Sequence, residues 1–383
     1  MIRDSPQPKH PMTDPQSPSP TPVPAQAKAV TDGVTAEGEA YPSGPQRLRY
    51  VDVAAPPPGK TVVVAPGVLW CRIPLPIDLN HINVWLLDTD QGLVLVDTGM
   101  AADVGREAWE VIESEVLAQR PLRAIFVTHI HPDHIGLAAW LQQRHEVPVW
   151  MSRRTFEQAQ VMLDGKDPPA AAEVEAFFRS NGVVDLTTLR PMMSPRRFAS
   201  VTSGMPAVQR FVADNETLQW GESSWTALET NGHAEGHLCL SNTAGGLLIS
   251  GDQVLPTISS NIGFTFHNED MNPLQSFLAS LARLRTLPQD TLVLPSHGVP
   301  FRGLQHRIDD LRQHHEEQLE AVVKACAIPK TAAEMLPLMY RRALKGIHMF
   351  LGLAEALAHL EYLANAGRLQ RRKDGEGVVR YAA

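Results

Sequence analysis

The segment 128–136 (THIHPDHIG) constrains this chain more than any other, because three imidazoles and one carboxylate fall within six of its residues. It follows an apolar run at 124–127 that predicts a buried strand, and it leads into an amphipathic pattern at 135–143 that predicts a helix. On the loop between these elements His129 and His131 can face one metal ion, while Asp133 and His134 turn towards a second. Imidazole and carboxylate together suit Zn²⁺, with iron and manganese as competitors. The alternative is a set of solvated histidines.

Four further candidate residues each follow an apolar run that predicts a strand. They are Asp97 after LVLV, His233 after WTAL, Asp252 after LLIS and His297 after LVL. Strands of two packed sheets would bring all of them to one edge, which a random scatter of histidines would not achieve. Earlier strands are predicted at 62–73 and 83–88. His81, just before the second of these, is either a substrate contact or, as we favour, a surface histidine.

The HxHxDH pattern at 129–134, together with Asp97, His233, Asp252 and His297, resembles the motif set of the metallo-β-lactamase superfamily. The resemblance covers roughly residues 60–300. The GHAEGH element at 232–237 is similar to the GHTxGH pattern of glyoxalase II, and the C-terminal part resembles that of lactamase-beta-2-like hydrolases. This resemblance implies an α/β fold, a four-layer αββα sandwich followed by a helical, winged-helix-like domain.

The resemblance also implies a ligand set for two zinc ions per chain, with iron or manganese as possible substitutes. In it His129, His131 and His233 hold one ion, Asp133, His134 and His297 hold the other, and Asp252 bridges them. Such a pair shares a nucleophilic hydroxide and polarises a carbonyl group. Asp97 is expected to orient a ligand imidazole without binding metal itself. The catalytic carboxylates are therefore predicted to be Asp133, Asp252 and Asp97.

The composition narrows the classes of function. The 34 basic residues against 42 acidic ones give a net charge of −8, which argues against a dedicated nucleic-acid binder. The three cysteines are far apart and lack CxxC spacing, so we expect no disulfides and a reducing compartment. Because the chain has neither a signal-like apolar region nor an apolar run long enough to span a bilayer, we expect a cytoplasmic protein without membrane attachment.

The organisation of the chain is predicted from its composition. Residues 1–46 are rich in Pro, Ser, Thr and Ala and predict a disordered tail. Residues 47–303 would form the metal-binding domain, and 150–219 is long enough for a lid-like insertion. Its apolar side chains either line an acyl or aryl pocket or pack the insertion onto the core. They are Phe156, Met162, Phe177, Phe178, Met192, Met193 and Met205.

Residues 304–383 would form the winged-helix-like domain, with helices at 305–327, 331–343 and 352–366 before a hairpin at 367–381. The basic cluster at 371–373 would meet phosphate in a DNA binder. In this acidic chain we favour a solvated hairpin that supports the catalytic domain or a homodimer.

Substrate class is the least constrained inference, because related proteins with the same fold cleave several kinds of bond. We expect hydrolysis of a small-molecule ester, thioester or lactone. One alternative is a persulfide-dioxygenase-like enzyme with a single iron, and another is a metal-dependent endoribonuclease. A scaffold with a relic site is a third, although all seven ligands are present. Asn261 and His267, in the loop after Asp252, are candidates to hold a substrate oxygen.

Overall fold

The computed structural model describes residues 48–164, 171–187, 189, 196–263, 272–341 and 343–383. The predicted tail at 1–46 lies outside these residues. Two seven-stranded sheets and a two-stranded hairpin organise the described chain.

The first sheet is built from the N-terminal half of the chain. Its strands, in spatial order, are β2 (Thr61–Ala65), β3 (Val68–Pro74), β4 (His81–Thr89), β5 (Gly92–Val96), β6 (Leu122–Phe126), β7 (Val149–Met151) and β8 (Val208–Phe211). The strands β2 to β5 pair antiparallel, whereas β5 to β8 pair parallel. The parallel strands β5 and β6 therefore end at the same edge of the sheet.

The second sheet is built from the following half and from the first described strand. Its strands, in spatial order, are β1 (Arg49–Tyr50), β14 (Phe301–Arg302), β13 (Leu292–Pro295), β12 (Leu247–Gly251), β11 (His237–Asn242), β10 (Ser223–Thr230) and β9 (Thr217–Trp220). Only β12 and β13 pair parallel; the other neighbours are antiparallel.

Helices cover the outer face of each sheet. They are α1 (Asp103–Ile112), α2 (Pro132–Ile135), α3 (Ala138–His145), α4 (Arg153–Asp164), α5 (Ala171–Ser180), α6 (Arg196–Ser200), α7 (Pro273–Leu284), α8 (Leu304–Ala325), α9 (Ala332–Met339) and α10 (Ile347–Asn365). A π-helical turn at Glu113–Leu117 continues α1. The start of α7 is fixed by local interactions, because the Asn272 side chain accepts a hydrogen bond from the Gln275 backbone and Pro273 takes the first helical position.

Alternation of side chains along the strands explains the layered packing. In β5, Val94 and Val96 join a core between the two sheets, while Leu93 and Leu95 face the helices outside. In β12 the outward residue Leu248 packs against the helices of the C-terminal region. Because successive strand residues point to opposite faces, a continuous apolar run fills two cores at once. The predicted four-layer αββα arrangement is confirmed.

Two predicted elements are divided in the structure. The strand expected at 62–73 is two strands, β2 and β3, because Pro66 and Gly67 form a turn and Gly67 adopts a positive φ of 71°. The helix expected at 135–143 is interrupted at Gly136 and Leu137, so that α2 and α3 are separate. As a result His129 and His131 lie in the loop after β6, whereas Asp133 and His134 lie within the short helix α2.

Gly136 ends α2 where no side chain fits. A Cβ atom there would lie 2.1 Å from the Pro132 carbonyl oxygen and 2.7 Å from the Gly99 carbonyl oxygen, both of them backbone atoms. We expect Gly136→Ala to lower the free energy of unfolding by about 3 kcal/mol, since the backbone around the HxHxDH segment must shift. Gly375→Ala is the matched control, because nothing lies within 4 Å of that Cβ. Urea unfolding of both variants measures the effect, and equal stabilities would contradict it.

The predicted lid-like range 150–219 contains α4, α5 and α6 and also two edge strands, β8 and β9. Phe178 is buried in the core next to the C-terminal helices and Phe177 packs against it. Phe156 and Met205 pack against the core outside the first sheet. Met162 is 45% exposed, and Met192 and Met193 lie outside the described residues.

The C-terminal region follows the predicted order of three helices and a hairpin, in which β15 (Gln370–Lys373) pairs antiparallel with β16 (Val379–Ala382). The helices α8 and α10 meet through two fully buried imidazoles, His315 and His359, whose nearest ring nitrogens are 3.2 Å apart. Among the described residues no helix has both the length and the apolar character needed to cross a membrane.

Candidate metal centre

Five chain segments deliver the candidate ligands to one edge of the sandwich. The HxHxDH segment follows β6, and Asp97 directly follows the neighbouring strand β5. From the second sheet, His233 lies between β10 and β11, Asp252 follows β12 and His297 follows β13. Asp97, Asp252 and His297 come one or two residues after a buried strand, so these strands fix where the three side chains stand.

The first group of ligands comprises His129, His131, His233 and Asp252, whose ligand atoms all lie within 4.8 Å of one another. His129 Nε2 is 3.0 Å from His131 Nδ1 and 3.2 Å from His233 Nε2. Three ring nitrogens thus converge on one point, an arrangement typical of a tetrahedral metal site.

The second group comprises Asp133, His134 and His297, which satisfy the same distance criterion. His297 Nε2 lies 3.3 Å from Asp133 Oδ2, and His134 Nε2 lies 3.8 Å from the same oxygen. Asp252 faces this group too, with its Oδ1 3.4 Å from His134 Nε2 and 3.5 Å from His297 Nε2. Its other oxygen, Oδ2, is 3.4 Å from His233 Nε2 in the first group. One carboxylate therefore presents one oxygen to each group.

Asp97 lies behind the second group and holds His134 in place. Its Oδ2 accepts a hydrogen bond from His134 Nδ1 at 2.8 Å, and its Oδ1 accepts one from the Thr128 backbone N–H at 2.8 Å. Because Nδ1 carries the proton, the lone pair of His134 is on Nε2, which points towards Asp133 and Asp252. Asp97 has a positive φ of 63°, a strained conformation for a residue other than glycine.

Backbone carbonyl groups fix two other imidazoles in the same way. His233 Nδ1 donates to the Asn261 carbonyl oxygen at 2.8 Å, and His297 Nδ1 donates to the His81 carbonyl oxygen at 2.9 Å. Each bond leaves the Nε2 lone pair free for a metal ion. The interpretation of His81 as a surface residue is wrong, because the residue is 8% exposed and lies at the start of the buried strand β4. Asn261 supports His233, and His267 lies outside the described residues.

The pKa shifts of the buried histidines in the centre run in two directions. Burial lowers the pKa of His131 to about 3 and that of His129 well below the ordinary range, which keeps both rings neutral. Burial also opposes the charged form of His134, but the carboxylates of Asp97, Asp252 and Asp133 outweigh it and raise the pKa of that ring. These carboxylates thus favour positive charge at the second group.

The hydrogen bonding of three buried polar atoms shows whether these residues fit a metal ion. His134 Nε2, His297 Nε2 and Asp252 Oδ1 are buried and have no hydrogen-bond partner among the described residues. Leaving such atoms unsatisfied costs about 1–3 kcal/mol each, so native proteins rarely do so without a reason. All three surround the second group, and all three are good ligands for zinc. The residues therefore fit a bound cation.

His237 is a site residue whose role the sequence analysis did not identify. It is fully buried, and its ring lies 4.8 Å from that of His129. Its Nε2 accepts a hydrogen bond from the Asp252 backbone N–H at 3.2 Å, and its Nδ1 lies 2.9 Å from Thr230 Oγ1. The second histidine of GHAEGH thus positions the backbone of Asp252. The repeated histidine was a signal, but the sequence did not show what it contacts.

A family model described as Metallo-beta-lactamase superfamily matches residues 77–297, which is more than half of the chain. The chain belongs to the metallo-beta-lactamase superfamily. A second family model, described as Metallo-beta-lactamase-like, C-terminal domain, matches residues 319–383. The predicted superfamily and its α/β fold are therefore confirmed.

Three relatives place the chain within this metallo-beta-lactamase superfamily. A beta-lactamase domain protein from Burkholderia ambifaria is 39% identical, with a TM-score of 0.81 over 88% of this chain and 98% of that one. "Probable metallo-hydrolase YqjP" from Bacillus subtilis is 24% identical over 77% of this chain and 92% of its own length. "Acyl-coenzyme A thioesterase MBLAC2" from Gallus gallus is 26% identical over 49% of this chain and 63% of its own length. The chain is a metallo-hydrolase of this superfamily.

Proposed function

We propose that this metallo-hydrolase binds two zinc ions and hydrolyses a small-molecule thioester, ester or lactone. His129, His131 and His233 would hold one ion, and Asp133, His134 and His297 the other, with Asp252 shared between them. The observation that carries the proposal is the position of Asp252, whose two oxygens face different groups at 3.4 Å. A carboxylate placed in this way is suited to bridging two cations. A single-metal site would leave one of its oxygens unused.

The chain's own residues contribute orientation and charge. When bound, a pair of zinc ions supplies a water of lowered pKa as nucleophile and polarises the substrate carbonyl group. Asp97 and the carbonyl groups of Asn261 and His81 hold the protons of three imidazoles at Nδ1, so that each Nε2 faces the site. Iron or manganese would suit the same donor atoms, since imidazole and carboxylate do not discriminate strongly among these metals.

The substrate class rests on a likeness and on the chemistry of the site. One relative carries the name acyl-coenzyme A thioesterase. Cys239, which could otherwise supply a thiol nucleophile, is buried with the pKa of its thiol raised to about 12 by that burial. A water molecule activated at the carboxylate–imidazole cluster is therefore the nucleophile we propose. Thioesters and activated esters suit such a nucleophile, because their acyl carbon is readily attacked.

The decisive experiment combines metal analysis with a substrate screen. Protein purified without chelator is analysed for metal content and assayed with p-nitrophenyl esters, acyl-CoA thioesters and lactones. We expect about two zinc ions per chain and turnover of at least one of these classes, lost on chelation and restored by zinc. Asp185→Ala serves as the control, because Asp185 is exposed and, among the described residues, its carboxylate accepts a hydrogen bond from Thr187 in its own turn.

Other outcomes of this experiment would replace the proposal. One iron per chain, oxygen uptake with a persulfide and no ester turnover would point to a dioxygenase-like enzyme. Cleavage of RNA, with binding that weakens steeply as salt increases, would point to an endoribonuclease. Zinc-loaded protein that turns over none of these substrates would exclude the thioester, ester and lactone classes.

We further propose a cytoplasmic location, a small molecule as the principal partner and, if the chain associates, a homodimer. The three cysteines, Cys71, Cys239 and Cys326, are buried and free, which suits a reducing compartment. The basic strand β15 carries Arg371, whose guanidinium pairs with Glu361, and this pairing weakens the case for a nucleic-acid surface there.

A further inference from the structure

Asn83 is a fully buried polar residue on β4 that lies beneath the loop carrying His297. Its side-chain oxygen accepts hydrogen bonds from Trp70 Nε1 at 2.8 Å and from Arg72 Nε at 3.2 Å, both on the neighbouring strand β3. The first sheet thus fixes one side of the amide. The orientation is unambiguous, because only the oxygen can accept from these two donors.

The other side of the amide reaches into the second sheet. Asn83 Nδ2 donates to the Pro295 carbonyl oxygen at 2.8 Å and to the Gly298 carbonyl oxygen at 2.9 Å. The Asn83 backbone N–H donates to the Ser296 carbonyl oxygen at 2.7 Å. Three hydrogen bonds from one residue therefore hold the turn on both sides of His297.

This turn is connected to both metal groups. His297 Nδ1 donates to the carbonyl oxygen of His81, two residues before Asn83 on the same strand. The Ser296 N–H donates to the Gly251 carbonyl oxygen at 3.2 Å, next to Asp252. A rigid strand of one sheet thereby sets the position of a ligand that belongs to the other sheet.

We propose that Asn83 is a positioning residue for the second metal group. Its side-chain amide raises the affinity of that group for a metal ion and leaves the affinity of the first group unchanged. This inference rests on the two-metal assignment made above. If the amide N–H donors are lost, the turn at 295–298 keeps the Asn83 backbone bond to Ser296 and the bond from Arg72 Nη2 to the Gly298 carbonyl oxygen, but it loses both side-chain bonds from Asn83. The turn is then held less firmly, and His297 Nε2 is less well aligned with Asp133 and Asp252. The first group, which lacks His297, keeps its ligands.

Asn83→Asp tests the proposal with almost no change of shape. The new carboxylate, ionised beside the Arg72 guanidinium, still accepts from Trp70 and Arg72, but in that form it cannot donate to Pro295 and Gly298. We expect the affinity of the second zinc ion to fall about 10–100-fold, as loss of an outer-shell partner typically does, while the first zinc ion binds as in the wild type. Titration against a chromogenic zinc chelator measures both affinities. Two zinc ions bound with wild-type affinities would overturn the proposal.

Trp70→Phe is the matched control, because it removes a bond on the opposite side of the same amide. A merely structural role of Asn83 predicts that both variants lose zinc in proportion to their loss of melting temperature. The proposal instead expects Trp70→Phe to keep both zinc affinities within about threefold. Equal and parallel loss of both ions in the two variants would refute it.

Hydrogen exchange gives a readout that needs no metal. In zinc-free protein we expect the Ser296 amide to exchange at least tenfold faster in Asn83→Asp than in the wild type or Trp70→Phe. Unchanged exchange would overturn the inference even if the wild type binds two zinc ions. If instead the wild type binds fewer than two, the proposed function fails while the exchange result still reports on the role of Asn83.

Discussion

Asp252→Ala is expected to lose about 1,000-fold in kcat/KM and to bind fewer than two zinc ions per chain, while the protein remains folded. The reason is geometric, since among the described residues Asp252 is the carboxylate that presents an oxygen to each group. Its loss removes a ligand from both positions and leaves Asp133 as the remaining carboxylate near His134 Nε2 and His297 Nε2 among the described residues. Asp133→Ala should show the same direction of change, because Asp133 Oδ2 lies 3.3 Å from His297 Nε2.

The measurement is zinc content together with steady-state kinetics on the best substrate found. Far-ultraviolet circular dichroism establishes that the variant is folded. Asp185→Ala is the control, because it removes an exposed carboxylate that belongs to neither candidate metal group. Wild-type turnover by Asp252→Ala in metal-free buffer would contradict the two-metal assignment. A variant that retains both zinc ions but loses activity would show that Asp252 acts on the substrate instead.

The second large effect concerns stability in acid and arises away from the metal centre. His359 Nδ1 donates to the Glu355 carbonyl oxygen, so His359 Nε2 accepts from His315 Nδ1. Burial, with the neighbouring imidazoles adding to it, lowers the pKa of His315 to about 3 and that of His359 to about 4. Both rings are therefore neutral when folded, although free imidazoles begin to gain protons near pH 6.5.

The sign of the pH dependence follows from this difference. Below pH 6.5 these two imidazoles bind protons in the unfolded chain but not in the folded one. Stability is therefore lost as the pH falls towards their folded pKa values of about 4 and about 3. We expect each ring to lower the free energy of unfolding by about 2 kcal/mol when the pH falls from 7.5 to 4.5. The double variant His315→Leu/His359→Leu should lack this share of the acid sensitivity while remaining folded at pH 7.5, because both hydrogen-bond partners are removed together.

Urea unfolding of the zinc-loaded proteins across this pH range measures the difference. His314 and Glu355 lie beside the pair and Tyr340 donates to Glu355, but all three are present in both proteins and cancel in the comparison. The metal ligands cancel for the same reason. Parallel stability profiles for the wild type and the double variant would show that the buried pair does not control acid stability.

Much of the fold could be predicted because its signals are local. Runs such as LVLV and LLIS are short and apolar, and each becomes a strand that is buried on both faces. The N-cap at Asn272 and the C-terminal hairpin depend on neighbouring residues alone. The division of 62–73 into two strands was missed because its Pro66–Gly67 turn is short and lies inside an apolar stretch.

The supporting residues of the site were harder to predict because their partners are distant in sequence. Asn83 reads as one polar position in an apolar strand, and only its contacts with Pro295 and Gly298 reveal its place beneath His297. His81 looked exposed because it follows a loop rich in Pro and polar residues, yet it is buried where the two sheets meet. His237 could be noticed as a repeated histidine, but its contact with the Asp252 backbone depends on how β11 and β12 are paired.

The candidate ligands come from both halves of the sandwich, the HxHxDH segment from the first sheet and His233, Asp252 and His297 from the second. Bound cations would consequently act as a cross-link between two halves that are otherwise joined by their apolar faces. A free metal ion at about 1,000 times the Kd of one site would stabilise the folded domain by about 4 kcal/mol, because only the paired sheets present the complete set of ligands. During folding, the complete set would form only after the two sheets have packed together, so full metal binding would report that the domain has folded.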